Sequence, residues 1–94
     1  MMAALSNEEI DQRLAAVPEW QRDGAAIARD LKFDDFRAAM AFVNKVAEAA
    51  EAANHHPDIL IHGWNKVRLT LSTHSEGGLT EGDFKMAARI DELV

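Results

Sequence analysis

The sequence predicts an α+β domain, a four-stranded antiparallel sheet with three helices packed on one face, in the order α-β-β-α-β-β-α. Three observations predict it. Three stretches carry apolar residues at helical spacing behind a capping residue. Between them lie two pairs of strand-like segments, each pair joined through a glycine, Gly24 and Gly63. Hairpin-linked strands pair antiparallel, and helices then gather on one face of the sheet. No internal repeat or low-complexity linker divides the chain, so residues 1–94 are expected to form one domain.

The first helix is expected in "LSNEEIDQRLAAV". Ser6 is positioned to cap it, and Glu9, three residues on, completes a capping box. Ile10, Leu14 and Val17 recur at helical spacing, and Pro18 stops the run. Asp23-Gly24 then reads as a turn between a short strand near Trp20 and a longer strand over about residues 25 to 33. In the longer strand Ala25, Ile27, Arg29, Leu31 and Phe33 share one parity.

The second helix, "DDFRAAMAFVNKVAEAAEAAN", has the strongest pattern. Asp34 or Asp35 caps it; Phe36, Met40, Val43, Ala47 and Ala50 make an apolar stripe, widened by Phe42 and Val46. Asn54 is its expected stop, because Asn tolerates the left-handed conformation that ends many helices. "DILIHGWNKVRLTLST" holds the second strand pair. Val67, Leu69 and Leu71 alternate with Arg68, Thr70 and Ser72, as in a half-buried strand. "HSEGG" is expected as a loop. The last helix starts at Thr80, with Asp83 three residues on, and buries Phe84, Ala87, Ile90 and Val94 along one face, to which Met86 and Leu93 add less regularly.

Composition excludes several functions. The chain has no cysteine, which removes disulfides, thiolate nucleophiles and Cys-ligated zinc. "MMAALSNEEI" lacks the basic and apolar segments of a secretory leader, and no apolar run reaches the roughly 20 residues of a membrane helix. A cytoplasmic protein is expected, with no membrane partner. The formal net charge of −6 and the absence of any Lys/Arg run argue against nucleic acid as a partner.

The polar residues cluster at element ends. His55 and His56 stand at the exit of the second helix, His74 at a strand exit, Asp83 in the first turn of the last helix, and Glu51 one turn before His55. Converging ends would place three imidazoles and two carboxylates in a single recess. Imidazole gives or takes a proton near neutral pH, and a carboxylate bonded to it fixes its tautomer. Such a set suits a reaction that removes a proton at one atom and delivers one at another. It also suits a metal, since histidines and carboxylates ligate zinc and iron. Surface or capping histidines without chemistry are the third reading. Asp83 itself sits where a helix dipole favours a carboxylate whatever its function. His62 reads as an exposed strand residue, and Trp64 as a packing residue.

These residues carry a resemblance. "EAANHHPDILIHGWNKVRLTLSTHSEGGLTEGD" is similar to the signature of the pterin-4a-carbinolamine dehydratase family, with matches at Glu51, His55, His56, Pro57, Trp64, His74 and Asp83. The signature covers about a third of the chain. The resemblance implies the same α+β sandwich, assembled as homodimers or homotetramers. It implies removal of water from a 4a-hydroxytetrahydropterin to give quinonoid dihydropterin, in tetrahydropterin recycling, with no metal and no organic cofactor. It implies roles as well. His55 and His74 are the acids that protonate the leaving hydroxyl, one for each face. His56 binds the pterin and assists proton removal at N5. Glu51 and Asp83 orient the imidazoles. Pro57 and the polar groups of Ser72, Thr73 and Ser75 bound the substrate, and Trp20 is a candidate aromatic wall, although its size favours core or edge packing instead. A second expectation comes with the family, whose animal members also bind a homeodomain transcription factor. The chain would then be a non-catalytic, coactivator-type dimerisation module.

Overall fold

A computed structural model describes residues 3–94. The stretch read for a secretory leader begins with Met1 and Met2, which lie outside the described residues. Helices α1 (Asn7–Leu14), α2 (Phe36–Ala53) and α3 (Glu81–Leu93) alternate with strand pairs β1 (Gln21–Asp23), β2 (Ala26–Lys32) and β3 (Asp58–His62), β4 (Lys66–Leu71). The four strands form one antiparallel sheet in the order β1-β2-β4-β3. The expected architecture is therefore present.

Parity explains which face the helices cover. Ile27 stands opposite Leu71, and Leu31 opposite Val67. These residues and Leu69 form the sheet's half of the core, against Phe42, Val46, Ala50, Phe84, Ala87 and Ile90 from α2 and α3. The other parity, including Asp30, Lys32, Lys66 and Arg68, faces away. Among the described residues no helix is long and apolar enough to cross a membrane.

The helix ends follow the local rules. Ser6 and Glu9 form the capping box of α1: the Glu9 N–H donates to Ser6 at 3.2 Å and the Ser6 N–H to the Glu9 carboxylate at 3.0 Å. The helix stops at Leu14 rather than running to Val17. In a continued helix the Pro18 ring would strike the Leu14 carbonyl. Instead, the N–H groups of Ala16 and Val17 turn back to the carbonyls of Arg13 and Leu14, both at 3.0 Å. Asp35 caps α2 by accepting from the Ala38 N–H at 2.7 Å. Asn54 ends it in the left-handed conformation, φ 51° and ψ 43°.

Four expectations are corrected. The buried stripe of α2 is Ala39, Phe42, Val46 and Ala50; Phe36 and Ala47 are exposed. At the end of α3, Val94 is exposed, while Phe84, Met86, Ala87 and Ile90 are buried as expected. "HSEGG" contains a 3-10 turn over His74–Glu76, closed by Gly77 at φ 74°. Trp64 does not pack: it is 62% exposed at φ 58° in the β3–β4 turn, directly after Gly63 at φ 55°. A bulky residue in that region is an outlier, carried by a tight turn that positions Asn65 to extend the β2–β4 pairing. The Asn65 carbonyl accepts from the Phe33 N–H at 2.8 Å, and its side-chain amide donates to the Phe33 carbonyl at 3.0 Å.

Candidate active site

The site begins with the stop of α2. After Asn54 turns left-handed, the His55 N–H still reaches the Ala50 carbonyl at 3.1 Å, which fixes where the histidine pair leaves the helix. Consecutive residues of the extended exit then point in opposite directions. His55 turns inward, with 15% of its side chain exposed, and its Nε2 lies 2.6 Å from Asp83 Oδ1. His56 turns outward, with 54% exposed, and its Nε2 pairs with Glu51 back along α2.

Asp83 is fully buried, at 0% exposure. Its second oxygen accepts from the Thr80 N–H at 2.9 Å and from the Thr73 hydroxyl at 2.8 Å. The Thr73 and Thr80 hydroxyls are themselves 2.9 Å apart. Thr73 spends its only proton on Asp83, so Thr80 donates to Thr73. Two donors already occupy Oδ2, and a carboxylate next to His55 Nε2 is satisfied when that nitrogen carries a proton. His55 therefore donates through Nε2, and Nδ1 is its open nitrogen. One carboxylate thus joins three chain segments: the exit of α2, the segment after β4 and the first turn of α3.

The segment after β4 brings the remaining residues. Ser72, Thr73 and His74 border a recess of about 310 Å³, with Ala25, Ala26, Gly77 and Gly78 completing it. A bridge between Thr73 and Gly78 holds this loop, with the Thr73 N–H donating to the Gly78 carbonyl at 3.1 Å. His55 borders a second recess of about 190 Å³ with Ala53, Gly82, Lys85, Met86 and Arg89. The two imidazoles thus line separate recesses joined through Thr73 and Asp83, in place of the single recess expected. Ser75 is exposed in the 3-10 turn, and half-buried Pro57 follows the histidine pair into β3.

Trp20 is not brought to these residues. It is 3% exposed, packs in the core, and donates from Nε1 to Asp91 at 2.8 Å. Asp91 lies eight residues beyond Asp83 on α3, about 12 Å along the helix axis. The sequence reading missed the Thr80 hydroxyl as part of the network, and Lys85 and Arg89 as neighbours of His55. The capping motif was the signal for the first. The i, i+4 spacing of two cations on the helix that carries Asp83 was a signal for the second.

The site so built is a buried carboxylate gripping a helix-exit histidine in a small α+β domain, with a second histidine on a strand-exit loop. Comparison with known proteins gives the family. The family model described as Pterin 4 alpha carbinolamine dehydratase matches residues 3–93, and the chain belongs to that family. It is 55% identical over 93 residues to a protein of Acidobacterium capsulatum, covering 99% of this chain and 100% of that one. A protein of Thermomicrobium roseum is 50% identical over 93 residues, covering 99% of each chain. Both carry the name "Putative pterin-4-alpha-carbinolamine dehydratase". The crystal structure of a transcriptional coactivator/pterin dehydratase from Brucella melitensis superposes with a TM-score of 0.90 at 39% identity, over 96% of this chain and 97% of that one. A pterin dehydratase-like protein described as a RuBisCO assembly factor in the alpha-carboxysome gives 0.63 at 27% identity, over 79% and 84%.

Proposed function

We propose that the chain dehydrates a 4a-hydroxytetrahydropterin to quinonoid dihydropterin by histidine acid/base catalysis, as a step of tetrahydropterin recycling. The reaction loses the N5 proton, breaks the C4a–O bond, forms the C4a=N5 bond and releases the hydroxyl as water. A base is required near N5 and an acid near the hydroxyl. His56 is assigned the base, exposed and polarised by Glu51. His55 and His74 are assigned the acids for the two faces of a ring lying across the junction of their two recesses, which Thr73 and Asp83 join. For His55 the proton goes out through Nδ1, because Nε2 is held by Asp83. Ser72, Thr73, Ser75 and Pro57 are assigned to the substrate's polar edge and its border.

The observation that carries this reading is the buried Asp83, shared between His55 and the Thr73–His74 segment. A buried carboxylate bonded to Nε2 orients the imidazole at a fixed angle and fixes its tautomer. General acid catalysis of this kind contributes about 10²–10⁴-fold. Initial rates of carbinolamine dehydration are therefore expected to fall by about 10²–10⁴ in His55→Ala or His74→Ala, for the hydroxyl epimer each one serves. Unchanged rates and pH profiles in both variants would remove the acid assignment.

A second reading, a non-catalytic dimerisation or coactivator-type module, is favoured by exposed Ile59 and Leu60 on β3 and exposed Trp64 beside it. The structural relatives described as a coactivator and an assembly factor support it too. It requires a wild-type protein that forms complexes yet leaves the carbinolamine decay rate at its uncatalysed value.

A further inference from the structure

We propose that the open face of the sheet carries a phosphate-binding site built from Lys32, Lys66 and His62, separate from the histidine–carboxylate site. The strand register makes the arrangement explicit. Lys66 stands directly opposite Lys32 on β2 and directly opposite His62 on β3. The three side chains form one cross-strand row on the face without helices, at the β3–β4 turn end of the sheet. All three are exposed.

Like charges placed directly opposite across a ladder repel and oppose pairing. Lys66 has a cation or an imidazole on each side. The adjacent row is built the other way: Leu60, Arg68 and Asp30 stand opposite one another, and Arg68 donates to Asp30 at 2.7 Å. Arg68 also lies 3.7 Å from Asp23. Asp30 is thereby engaged by Arg68, and Asp35 is engaged by the α2 cap. Among the described residues, neither Lys32, Lys66 nor His62 forms an ion pair, on a chain whose net charge is −6. An acidic chain that leaves its one cross-strand cationic row uncompensated has placed those charges against the preference of the sheet.

The lysine opposite both partners is also positioned. Its side chain lies back across Gly63, where an added β-carbon would meet Cδ and Nζ at 3.6 Å. The ammonium thus lies over the turn. A recess of about 360 Å³ is bordered by Lys32, His62 and Lys66 with Asp30 and Leu31. Strands lie about 4.8 Å apart, so the three heads fall within reach of the oxygens of one compact anion. Two ammonium charges and an imidazole N–H match a dianionic tetrahedral group better than a carboxylate, which carries one charge and two oxygens. The ligand class is a phosphate or pyrophosphate group, free or on a small ester.

The test is a titration of the full-length protein with inorganic pyrophosphate at fixed ionic strength, followed by backbone amide shifts. Wild type is expected to show saturable shifts confined to Lys32 and residues 62–66. Lys32→Glu turns the repelling pair into an attracting one and is expected to weaken binding at least tenfold while leaving the dehydration rate intact. Lys45→Gln, a surface cation on α2, is the control and is expected to bind as wild type. A nucleoside diphosphate run in parallel distinguishes the sources. Tighter binding than pyrophosphate supports an ester, and equal binding supports the free anion. The proposal is overturned by an absence of saturable shifts in wild type, by undiminished affinity in Lys32→Glu, or by equal losses in Lys32→Glu and Lys45→Gln.

Discussion

Asp83 is buried and takes donors from His55, Thr73 and Thr80, so its replacement separates its two duties. Asn keeps the volume and one acceptor but turns an NH₂ toward a donor on one side. The capping charge at the start of α3 goes with it, at a cost of about 1 kcal/mol in stability. If Asp83 also positions His55, Asp83→Asn lowers the dehydration rate by about 10–100-fold and displaces its pH profile, by analogy with outer-shell partners of metal-bound imidazoles. Reduced stability with an unaltered pH profile would assign the residue to capping alone. Thr73→Val removes one donor and leaves the Thr80 N–H in place, so a smaller loss of rate is expected. Steady-state kinetics across pH on both variants, beside urea denaturation, distinguish these outcomes. The histidine pair shows how far sequence reads at this scale. Types and spacing place His55, His56 and Asp83 at element ends that can converge. Only the left-handed turn at Asn54 decides that one imidazole faces Asp83 and the other Glu51.

Between elements, polar ties hold the helices to the sheet. Asp91 on α3 accepts from the Trp20 indole at 2.8 Å and pairs with Arg29 on β2. Asp91→Ala leaves the indole N–H of a buried tryptophan without its acceptor, which costs about 1–3 kcal/mol; a urea unfolding curve measures it directly. Arg13 on α1 pairs with Glu81 at the start of α3. That bond holds the Glu81 carboxyl below the ordinary carboxylate range. Bonds to the Ser6 backbone N–H, then its hydroxyl, do the same for Glu9, with Arg13 adding attraction. The sign follows from linkage: a carboxyl depressed in the folded state stabilises it above the unfolded value of about 4.3, and that contribution is lost as pH falls through the folded value. The urea midpoint is expected to hold from about pH 7 to about pH 5 and to decline below about pH 4. Arg13→Gln should flatten part of the decline, and Ser6→Ala another part; parallel curves in wild type and both variants would remove the assignment. Element ends were legible because Ser6, Asp35, Asn54 and Thr80 carry local hydrogen-bonding chemistry. The phase of α2 was not. Its alanines are apolar on every side, so the stripe through Phe36 and Met40 competed evenly with the true one through Ala39, Phe42 and Val46. Strand β1 was equally faint, because its three residues are all exposed and carry no alternation.

For the whole molecule the decisive contrast is between the two edges of the sheet. Strand β1 is three residues long and entirely polar, which blunts its edge against further pairing. Strand β3 is five residues long, reads "DILIH", and exposes Ile59 and Leu60 beside unpaired backbone donors and acceptors. A domain of 94 residues buries a modest share of its surface, so covering that edge with a second copy adds stability the single chain lacks. Homodimers or homotetramers are therefore expected, with β3 as the joint. Lysine on an edge strand is a natural defence against pairing, since its charge must otherwise be desolvated. The double variant Ile59→Lys, Leu60→Lys is expected to run as a monomer in size-exclusion chromatography with light scattering, where wild type runs as two or four copies. Its melting temperature should lose the concentration dependence of wild type, because association no longer draws on the folded state. Wild type that stays monomeric at tens of micromolar would defeat self-association. A double variant that keeps the wild-type mass would instead move the joint off β3, with the flank of α2 around half-buried Ala49 and exposed Ala52 and Ala53 next in line.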